Sequence, residues 1–319
     1  MKGLAAPITL RIARADEIAQ GIYRFELRHP EGAGLPGFTA GSHLTVRSPN
    51  GSLRKYSLCN DPAERDRYVI AVRRDPAGRG GSVDLVDNTS PGDTVEVSAP
   101  HNAFELAEKA QAFILIAGGI GITPILAMAR QLNGEGRRYK LYYLARSAEA
   151  TAFRDELRGA DFEGKVFIHY DNGDPEKSFD LWPILEKPSP AHVYCCGPRP
   201  LLESVRDMTG HWSQAAIHFE SFADAGAAAR PEDTPFTVVL TKSHARLLVA
   251  PGVSILEAMR DAGHDAPSSC ESGTCGTCRT RLVSGQADHR DLVLMEEEKA
   301  DQIMICVSRA LTPEIAIDR

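Results

Sequence analysis

Residues 270–278 read Cys270-Glu271-Ser272-Gly273-Thr274-Cys275-Gly276-Thr277-Cys278, and a fourth cysteine, Cys306, follows at a distance. A Cys-x4-Cys-x2-Cys loop completed by one remote cysteine is the ligand spacing of plant-type [2Fe–2S] centres. Three sulfurs from one short loop must converge on a small inorganic core, so the chain has to wrap around it. Gly273 and Gly276 permit the backbone conformations that wrapping needs and leave N–H groups free to point at sulfur. Those hydrogen bonds, with limited solvent exposure, set a potential of roughly −400 mV for this type. Four cysteines also suit zinc, but zinc sites usually show two short Cys-x2-Cys pairs rather than three clustered ligands and one distant. The C-terminal part of the chain is therefore expected to carry electrons, with the Cys275–Cys278 side near the surface.

The rest of the chain sets the context for that loop. It has 319 residues, 43% hydrophobic and 25% charged, the balance of a globular protein of two or three domains. The net charge of −7 argues against nucleic acid, whose phosphates need clustered Lys and Arg. Residues 1–12 lack a basic region followed by an apolar stretch and a cleavage site. The longest apolar run, around Ala112–Ala117, falls far short of the roughly 20 residues that span a bilayer. The seven cysteines are odd in number and four crowd the last fifth of the chain, unlike a disulfide framework. A reducing, cytoplasmic location away from membranes is expected.

Residues 1 to about 102 read as short, mostly alternating strands at Ile8–Ala13, Ile22–Leu27, His43–Arg47, Tyr68–Arg73 and Thr94–Val97. Turn residues punctuate them, which suggests a small antiparallel barrel. From about 110 to 225 strand and helix alternate: strands at Phe113–Ala117, Lys140–Arg146, Lys165–Tyr170, His192–Cys196 and Ala216–Glu220, helices at Pro124–Leu132 and Arg199–Gly210. That alternation implies a parallel sheet covered by helices. Residues 223–233, rich in Ala, Asp and Pro, read as a linker. Strands at Phe236–Thr241, Leu247–Ala250 and Thr280–Val283 and a helix at Ser254–Ala262 surround the cysteine loop.

Two stretches of the first section suit a flavin. In Arg54-Lys55-Tyr56-Ser57-Leu58, after a Pro49-Asn50-Gly51 turn, an arginine can pair with phosphate, a tyrosine can lie against an isoalloxazine ring and a serine can bond its polar edge. Arg79-Gly80-Gly81-Ser82 precedes a predicted helix at Val83–Asp87, and backbone N–H groups at such a start cradle phosphate. Each alone is also an ordinary strand end or turn. In the second section, Gly118-Gly119-Ile120-Gly121-Ile122-Thr123-Pro124 follows a buried strand and opens a helix, which lets backbone approach a pyrophosphate although the spacing is not GxGxxG. Thr123 is placed to reach both a nicotinamide and a flavin. Tyr194-Cys195-Cys196-Gly197-Pro198 sits at the carboxyl end of a strand in the same sheet, where ligands bind. Cys196 is expected beside the nicotinamide, or else packed as a small apolar residue, with Cys195 in the core. Asp171 closes a strand and suits an adenosine ribose, which favours NADH over NADPH; Asp174 is a rival, and a plain turn aspartate an alternative.

In this order, Arg54 to Asn60, Gly80-Gly81-Ser82, Ala117 to Pro124, Tyr194 to Pro198, His218-Phe219-Glu220-Ser221-Phe222, the cysteine loop and Gly285 to Asp291 resemble the phthalate dioxygenase reductase family over essentially the whole chain. The resemblance implies a multidomain protein. An antiparallel β-barrel would bind FMN (1–105), an α/β parallel-sheet domain would bind NADH (106–225), a linker would follow (226–233), and an α+β, β-grasp, plant-type ferredoxin domain would hold the [2Fe–2S] cluster (234–319). It implies FMN rather than FAD, held at Arg54, Lys55, Tyr56, Ser57, the Ala71-Val72-Arg73 strand and Gly80, Gly81 and Ser82, with Thr123 and Phe222 near the flavin. Gly118, Gly119, Asp171, Cys196, Gly197, Pro198, Glu220 and Ser221 complete the expected cofactor contacts. Lys55 stands where relatives often have a small polar residue, and Arg73 where lysine is familiar; neither removes a charge.

The implied activity is NADH-dependent electron transfer. A hydride passes from NADH to FMN, and electrons pass singly through the cluster to a separate Rieske non-haem iron oxygenase acting on an aromatic acid such as phthalate. A monomer is expected. Thr123, Cys196 and Phe222 then position rings rather than move protons, and Phe222 covers the flavin face until nicotinamide displaces it. A redox sensor would need no nicotinamide site, and no two-histidine, one-carboxylate set for oxygen activation stands out. His289, flanked by Asp288 and Asp291, reads as a surface loop.

Overall fold

The computed structural model describes residues 4, 6–222, 230 and 232–319. They fall into two compact units, the first Met1–Gly197 with Asp207–His218, the second Pro198–Arg206 with Phe219–Arg319. Of the expected linker, only Arg230, Glu232 and Asp233 are among the described residues.

The first unit begins with an antiparallel sheet in the order Leu53–Ser57, Ser42–Arg47, Thr94–Val97, Ile8–Ala19, Ile22–Arg28, Tyr68–Arg73. Alternation fixes its faces: Leu10 and Ile12 point inward with Phe25, Leu44, Val46, Ile70 and Val97, while Thr9 and Arg11 face outward. The two ends of this path meet. Leu58 bridges Ile70 and Cys59 N–H donates to Val69 O at 2.9 Å, so the sheet closes on itself. The seam brings the end of the Leu53–Ser57 strand alongside Tyr68–Arg73, the next strand in the chain.

A parallel sheet follows, ordered Val166–Tyr170, Arg138–Ala145, Ala112–Gly118, Ala191–Cys196, Ile217–Glu220. Its first strand in sequence is central, so the strand order reverses beside it, and the carboxyl ends of Ala112–Gly118 and Ala191–Cys196 flank the crevice where such sheets take ligands. The helix Ile122–Gly134 begins two residues before the predicted start, with a 3-10 turn, Gly119–Gly121, ahead of it. Pro124 thus sits inside the first turn, where its missing N–H costs nothing. Barrel and sheet share one core: Ile22, Ala40, Cys59, Val69 and Ala71 pack with Ile122, Leu126, Leu141 and Tyr143. Ala40 N–H donates to Gln131 Oε1 at 3.1 Å, and the Arg130 guanidinium donates to Cys59 O.

In the second unit a mixed sheet runs Arg246–Val249, Phe236–Leu240, Glu314–Ile317, Arg279–Ser284, Gln302–Met304. The short strand Glu314–Ile317, absent from the sequence reading, is its middle member and pairs in parallel with Phe236–Leu240. The helix Ile255–Asp261 is opened by a capping box in which Ser254 and Glu257 satisfy each other's backbone N–H groups. Among the described residues no helix is long and apolar enough to cross a membrane.

One expectation needs correcting here. The segment Asp288-His289-Arg290-Asp291 is not a surface loop: Arg290 and Asp291 are each 4% exposed. Arg290 donates to Asp288 at 2.7 Å and to Asp233 at 3.0 Å, and Arg309 lies 3.6 Å from Asp233 while donating to Val253 O at 2.8 Å. Four charges can be buried together because each has a partner. The Arg290 guanidinium holds the Asp233 carboxyl down at about 2, from the usual 3.8. A depressed carboxyl stabilises the fold above its unfolded value, and that stabilisation is lost as pH falls from 3.8 toward about 2. Replacing Arg290 with Ala leaves buried carboxylates unpaired. It is expected to cost about 3–5 kcal/mol in equilibrium urea unfolding at pH 7, and less once the carboxylates are protonated by acid.

Candidate functional site

The barrel seam assembles the first part of the site. Arg54, Lys55, Tyr56 and Ser57 lie on the strand Leu53–Ser57, which follows the strand Ser42–Arg47 and its turn and pairs back on it across Val46↔Arg54, Leu44↔Tyr56 and His43↔Ser57. Ser57 is buried, Tyr56 is half-buried against the barrel core, and Lys55 is exposed. Across the seam, Ala71 and Val72 are buried while Arg73 reaches solvent, 3.8 Å from Asp75. The helix Gly81–Asp87 starts two residues before the expected Val83, with Gly80 at φ 79° before it. Arg54 lies across that start. It donates to Arg79 O at 3.3 Å, and a Cβ on Gly81 would come within 2.9 Å of its Nε. Glycine at 81 therefore makes room for the guanidinium, leaving a cationic group and helix-start N–H groups together. Ser82 Oγ accepts from Asp75 N–H at 3.2 Å and fixes the loop between. This donor set fits a phosphate at one end of a flavin, with Tyr56 and the Ala71–Arg73 strand as walls.

The second part lies against the first. The turn Gly119–Gly121 packs on the strand Tyr68–Arg73. Gly118 ends its strand, and Gly119 turns the chain at φ 54°. Gly121 is the tightest position. A Cβ there would lie 2.2 Å from Cys196 O and 2.8 Å from Gly197 N, so two backbones meet where only glycine fits. Gly121 belongs to the quoted motif, yet its role was not legible as a site residue; the signal was a third glycine at a helix start. Thr123 is buried and its hydroxyl donates to Ile120 O at 3.1 Å, so toward a ring it accepts rather than donates.

The Cys196 side chain is wholly buried, among the residues of the core shared with the helix Ile122–Gly134. Cys195 points to the opposite face, equally buried, and burial pushes its thiol up. Gly197 and Pro198 lead into the helix Arg199–Met208, with Pro198 O accepting from Leu201 N–H at 3.0 Å. Asp171 follows the strand Val166–Tyr170 and uses Oδ1 to accept from Gly173 N–H at 2.7 Å. Asp174 caps Pro175–Lys177, accepting from Glu176 N–H at 3.0 Å and pairing with Lys177 at 3.0 Å, so both its oxygens are engaged. Asp171 keeps one more oxygen for a ligand. Glu220 ends the strand Ile217–Glu220, Ser221 follows, and Phe222 is 41% exposed.

In the second unit the cysteine loop fits two metal ions better than one. Cys270 sits against Cys275 and Cys278 against Cys306, and the neighbouring thiol lowers that of Cys270 and of Cys278. Two sulfur pairs suit the two ligands that each iron of a two-iron cluster takes from protein. A zinc ion would gather all four on one point. Ser272 N–H points at Cys270 Sγ at 3.4 Å, as the loop glycines were expected to allow. Gly273, at φ 75°, leaves 2.7 Å between a Cβ and Val307 Cγ2. Cys275 is exposed, but Cys278 is buried with Cys306, so the surface side of the loop is that of Cys275 and not of Cys278.

Comparisons with known proteins agree with this geometry. The family described as an oxidoreductase FAD-binding domain matches residues 9–106, and the 2Fe-2S iron-sulfur cluster binding domain matches residues 239–311. The chain is 57% identical over 313 residues to phthalate dioxygenase reductase of Burkholderia cepacia, covering 98% of this chain and 97% of that one. It is 57% identical over 311 residues to the phthalate 4,5-dioxygenase oxygenase reductase subunit of Pseudomonas putida, covering 97% and 96%. A solved structure of phthalate dioxygenase reductase, described as modular for electron transfer from pyridine nucleotides to [2Fe-2S], superposes with a TM-score of 0.74 at 56% identity, covering 98% of each chain.

The Gly121 contact gives a direct test. Gly121→Ala must push the Cys196–Gly197 backbone away, and is expected to destabilise the first unit by about 1–3 kcal/mol in thermal unfolding. Reduction of the bound flavin by a reduced nicotinamide nucleotide should slow by about tenfold or more through misplacement of the crevice walls.

Proposed function

The chain belongs to the phthalate dioxygenase reductase family, and on that premise we propose that it is an NADH-dependent reductase carrying FMN and a [2Fe–2S] cluster, which delivers single electrons to a separate Rieske-type non-haem iron oxygenase acting on an aromatic acid such as phthalate. It is an oxidoreductase with a flavin domain and an iron–sulfur domain. The observation that carries the finer reading is the meeting of two sites in one unit, where the Gly119–Gly121 turn lies on the Tyr68–Arg73 strand. When bound, flavin takes up a hydride and releases electrons one at a time, and the cluster carries one at a time.

The side chains divide the remaining work. Arg54 with Gly80, Gly81 and Ser82 would hold one phosphate, the number FMN has, with Lys55 and Arg73 adding positive charge at the rim. Tyr56, Ser57, Ala71 and Val72 would orient the ring. Gly118 and Gly119 let backbone approach a nucleotide pyrophosphate, and Gly197 and Pro198 form the facing wall. The remaining oxygen of Asp171 would accept from an adenosine ribose hydroxyl and repel a 2′-phosphate, which supports NADH. Thr123 and Cys196 would position the nicotinamide, with Glu220, Ser221 and Phe222 covering the flavin. The reading divides the chain at 1–105, 106–225 and 234–319, with a linker at 226–233; the family matches at 9–106 and 239–311 support the first and third parts. We place it in the cytoplasm as a monomer; the three cysteines outside the cluster, Cys59, Cys195 and Cys196, are buried thiols without disulfides, which supports the reducing compartment.

Two measurements check the reading. Flavin released by acid and resolved by chromatography should be FMN; FAD would overturn that assignment. In Cys275→Ser, NADH should still reduce the flavin within about twofold of the parent rate. Electron delivery to cytochrome c or to a partner oxygenase should fall to background, because a ligand of the last carrier is gone. Undiminished delivery would remove the cluster from the route.

A further inference from the structure

Asp291 packs directly on the cluster loop. Its Cα and Cβ lie 3.2 and 3.3 Å from where a side chain on Gly273 would begin, and Leu292 N–H donates to Gly273 O at 2.9 Å. The carboxylate is wholly buried. Oδ1 accepts from Val293 N–H at 3.0 Å and from Leu294 N–H at 2.7 Å. Oδ2 is buried with no hydrogen-bond partner. Facing it at 3.9 Å is His289 Nδ1, also buried and also without a partner.

The other ring nitrogen settles what Nδ1 carries. His289 Nε2 is 3.1 Å from Lys299 O, and a carbonyl only accepts, so the hydrogen of a neutral ring is on Nε2. Nδ1 would then present a bare lone pair to a bare carboxylate oxygen. Two unsatisfied acceptors facing each other out of water repel, and each adds its own desolvation cost. One further proton, on Nδ1 or on Oδ2, turns this repulsion into attraction. The surrounding charges are already matched. Glu296 is paired with Lys299 and also senses Arg206 and His289; Arg290 is paired with Asp288 and Asp233, with Arg309 beyond; Glu271 in the cysteine loop is paired with Arg260 at 2.8 Å.

We propose that His289 and Asp291 share one proton behind the cluster loop, and that its uptake accompanies entry of an electron into the cluster. The inference rests on the reading of Cys270, Cys275, Cys278 and Cys306 as cluster ligands. The balance is simple. One electron arrives from reduced flavin or a chemical mediator, and one proton arrives from solvent by way of His289, whose side chain is 14% exposed. One N–H or O–H bond forms, and both leave when an oxidised acceptor takes the electron. The added negative charge favours the protonated pair, and by reciprocity the protonated pair favours reduction. The pair is thus a positioning and charge-balancing device, not a catalytic acid.

The test is a redox titration of the full-length holoprotein with chemical mediators, followed by the EPR signal of the reduced cluster, at a series of pH values from about 5 to 8. The midpoint potential of the parent should fall with rising pH, at a slope approaching one proton per electron over part of that range. In Asp291→Asn and in His289→Gln the slope should vanish. A flat potential in the parent, or an unchanged slope in both variants, overturns the proposal. Should the variants fail to assemble, the parent still decides. Reduction-induced infrared difference spectra with 15N-labelled histidine should show a histidine or carboxyl protonation change, and their absence overturns it. Iron content and EPR intensity report on the cluster separately. A protein without a cluster would sink both readings, whereas a loaded protein with a flat potential sinks this one alone.

Discussion

The first unit depends on two backbones meeting at Gly121. With Cys196 O only 2.2 Å from the position a Cβ would take, the chain can pass there only as glycine. That contact sets the width of the crevice at the point where the strand order reverses, and the flanking residues follow from it. Gly119 turns the chain, Thr123 spends its hydroxyl hydrogen on Ile120 O, and the helix Ile122–Gly134 leaves at an angle that presses Ile122 and Leu126 into the core shared with the barrel. The barrel answers from its own seam, where closure through Leu58 and Ile70 lays the strand Tyr68–Arg73 against the Gly119–Gly121 turn. On the proposed reading, hydride transfer between two flat rings tolerates little misplacement, which suits a site built on strand ends and backbone contacts rather than on mobile side chains.

The second unit solves a different problem, that of holding a charged inorganic core near the surface in a small domain. Its cysteine loop cannot bury much apolar surface of its own, so neighbours pin it. Val307 and Asp291 close on Gly273, and Leu292 bonds its carbonyl. Behind these, Arg290 and Arg309 bind Asp233, which ties the start of the domain to the segment that supports the loop. Buried ion pairs contribute little net stability compared with apolar residues, but breaking one is costly, and that asymmetry favours a single arrangement over many.

The parts legible in the sequence were those whose physics is local. The Cys-x4-Cys-x2-Cys spacing, the strand alternation of Ile8–Ala13 and the glycines after Phe113–Ala117 each state their constraint within a few residues. What was missed depends on partners far along the chain. The strand Glu314–Ile317 is too short to announce itself and exists because Phe236–Leu240 and Arg279–Ser284 flank it. Asp288-His289-Arg290-Asp291 reads as solvent-facing because four ionisable residues in a row usually are. Its burial follows from Asp233, 57 positions away from Arg290, which the sequence offers only as the end of a linker. Pro124 misled in the opposite way: proline marks a helix start, but a 3-10 turn had already begun the coil.

The placement of the four cysteines bears on how electrons leave. Cys278 and Cys306 are buried within the apolar core of the second unit, among Ile303, Ile305 and Leu294, while Cys275 is exposed and Cys270 half-buried. A cluster held by these four cysteines would have its Cys270 and Cys275 side in the wetter surroundings, with Ser272 N–H and the Thr277 hydroxyl beside those sulfurs. Hydrogen bonds and solvent favour added negative charge, so that side would be the better suited to it. Apolar packing shields the second pair of sulfurs from water, while Cys275 of the first pair lies at the surface of the unit. The sequence spacing already contains this division, since the two cysteines of the four-residue gap form the outer pair and the third joins the distant Cys306 within the core.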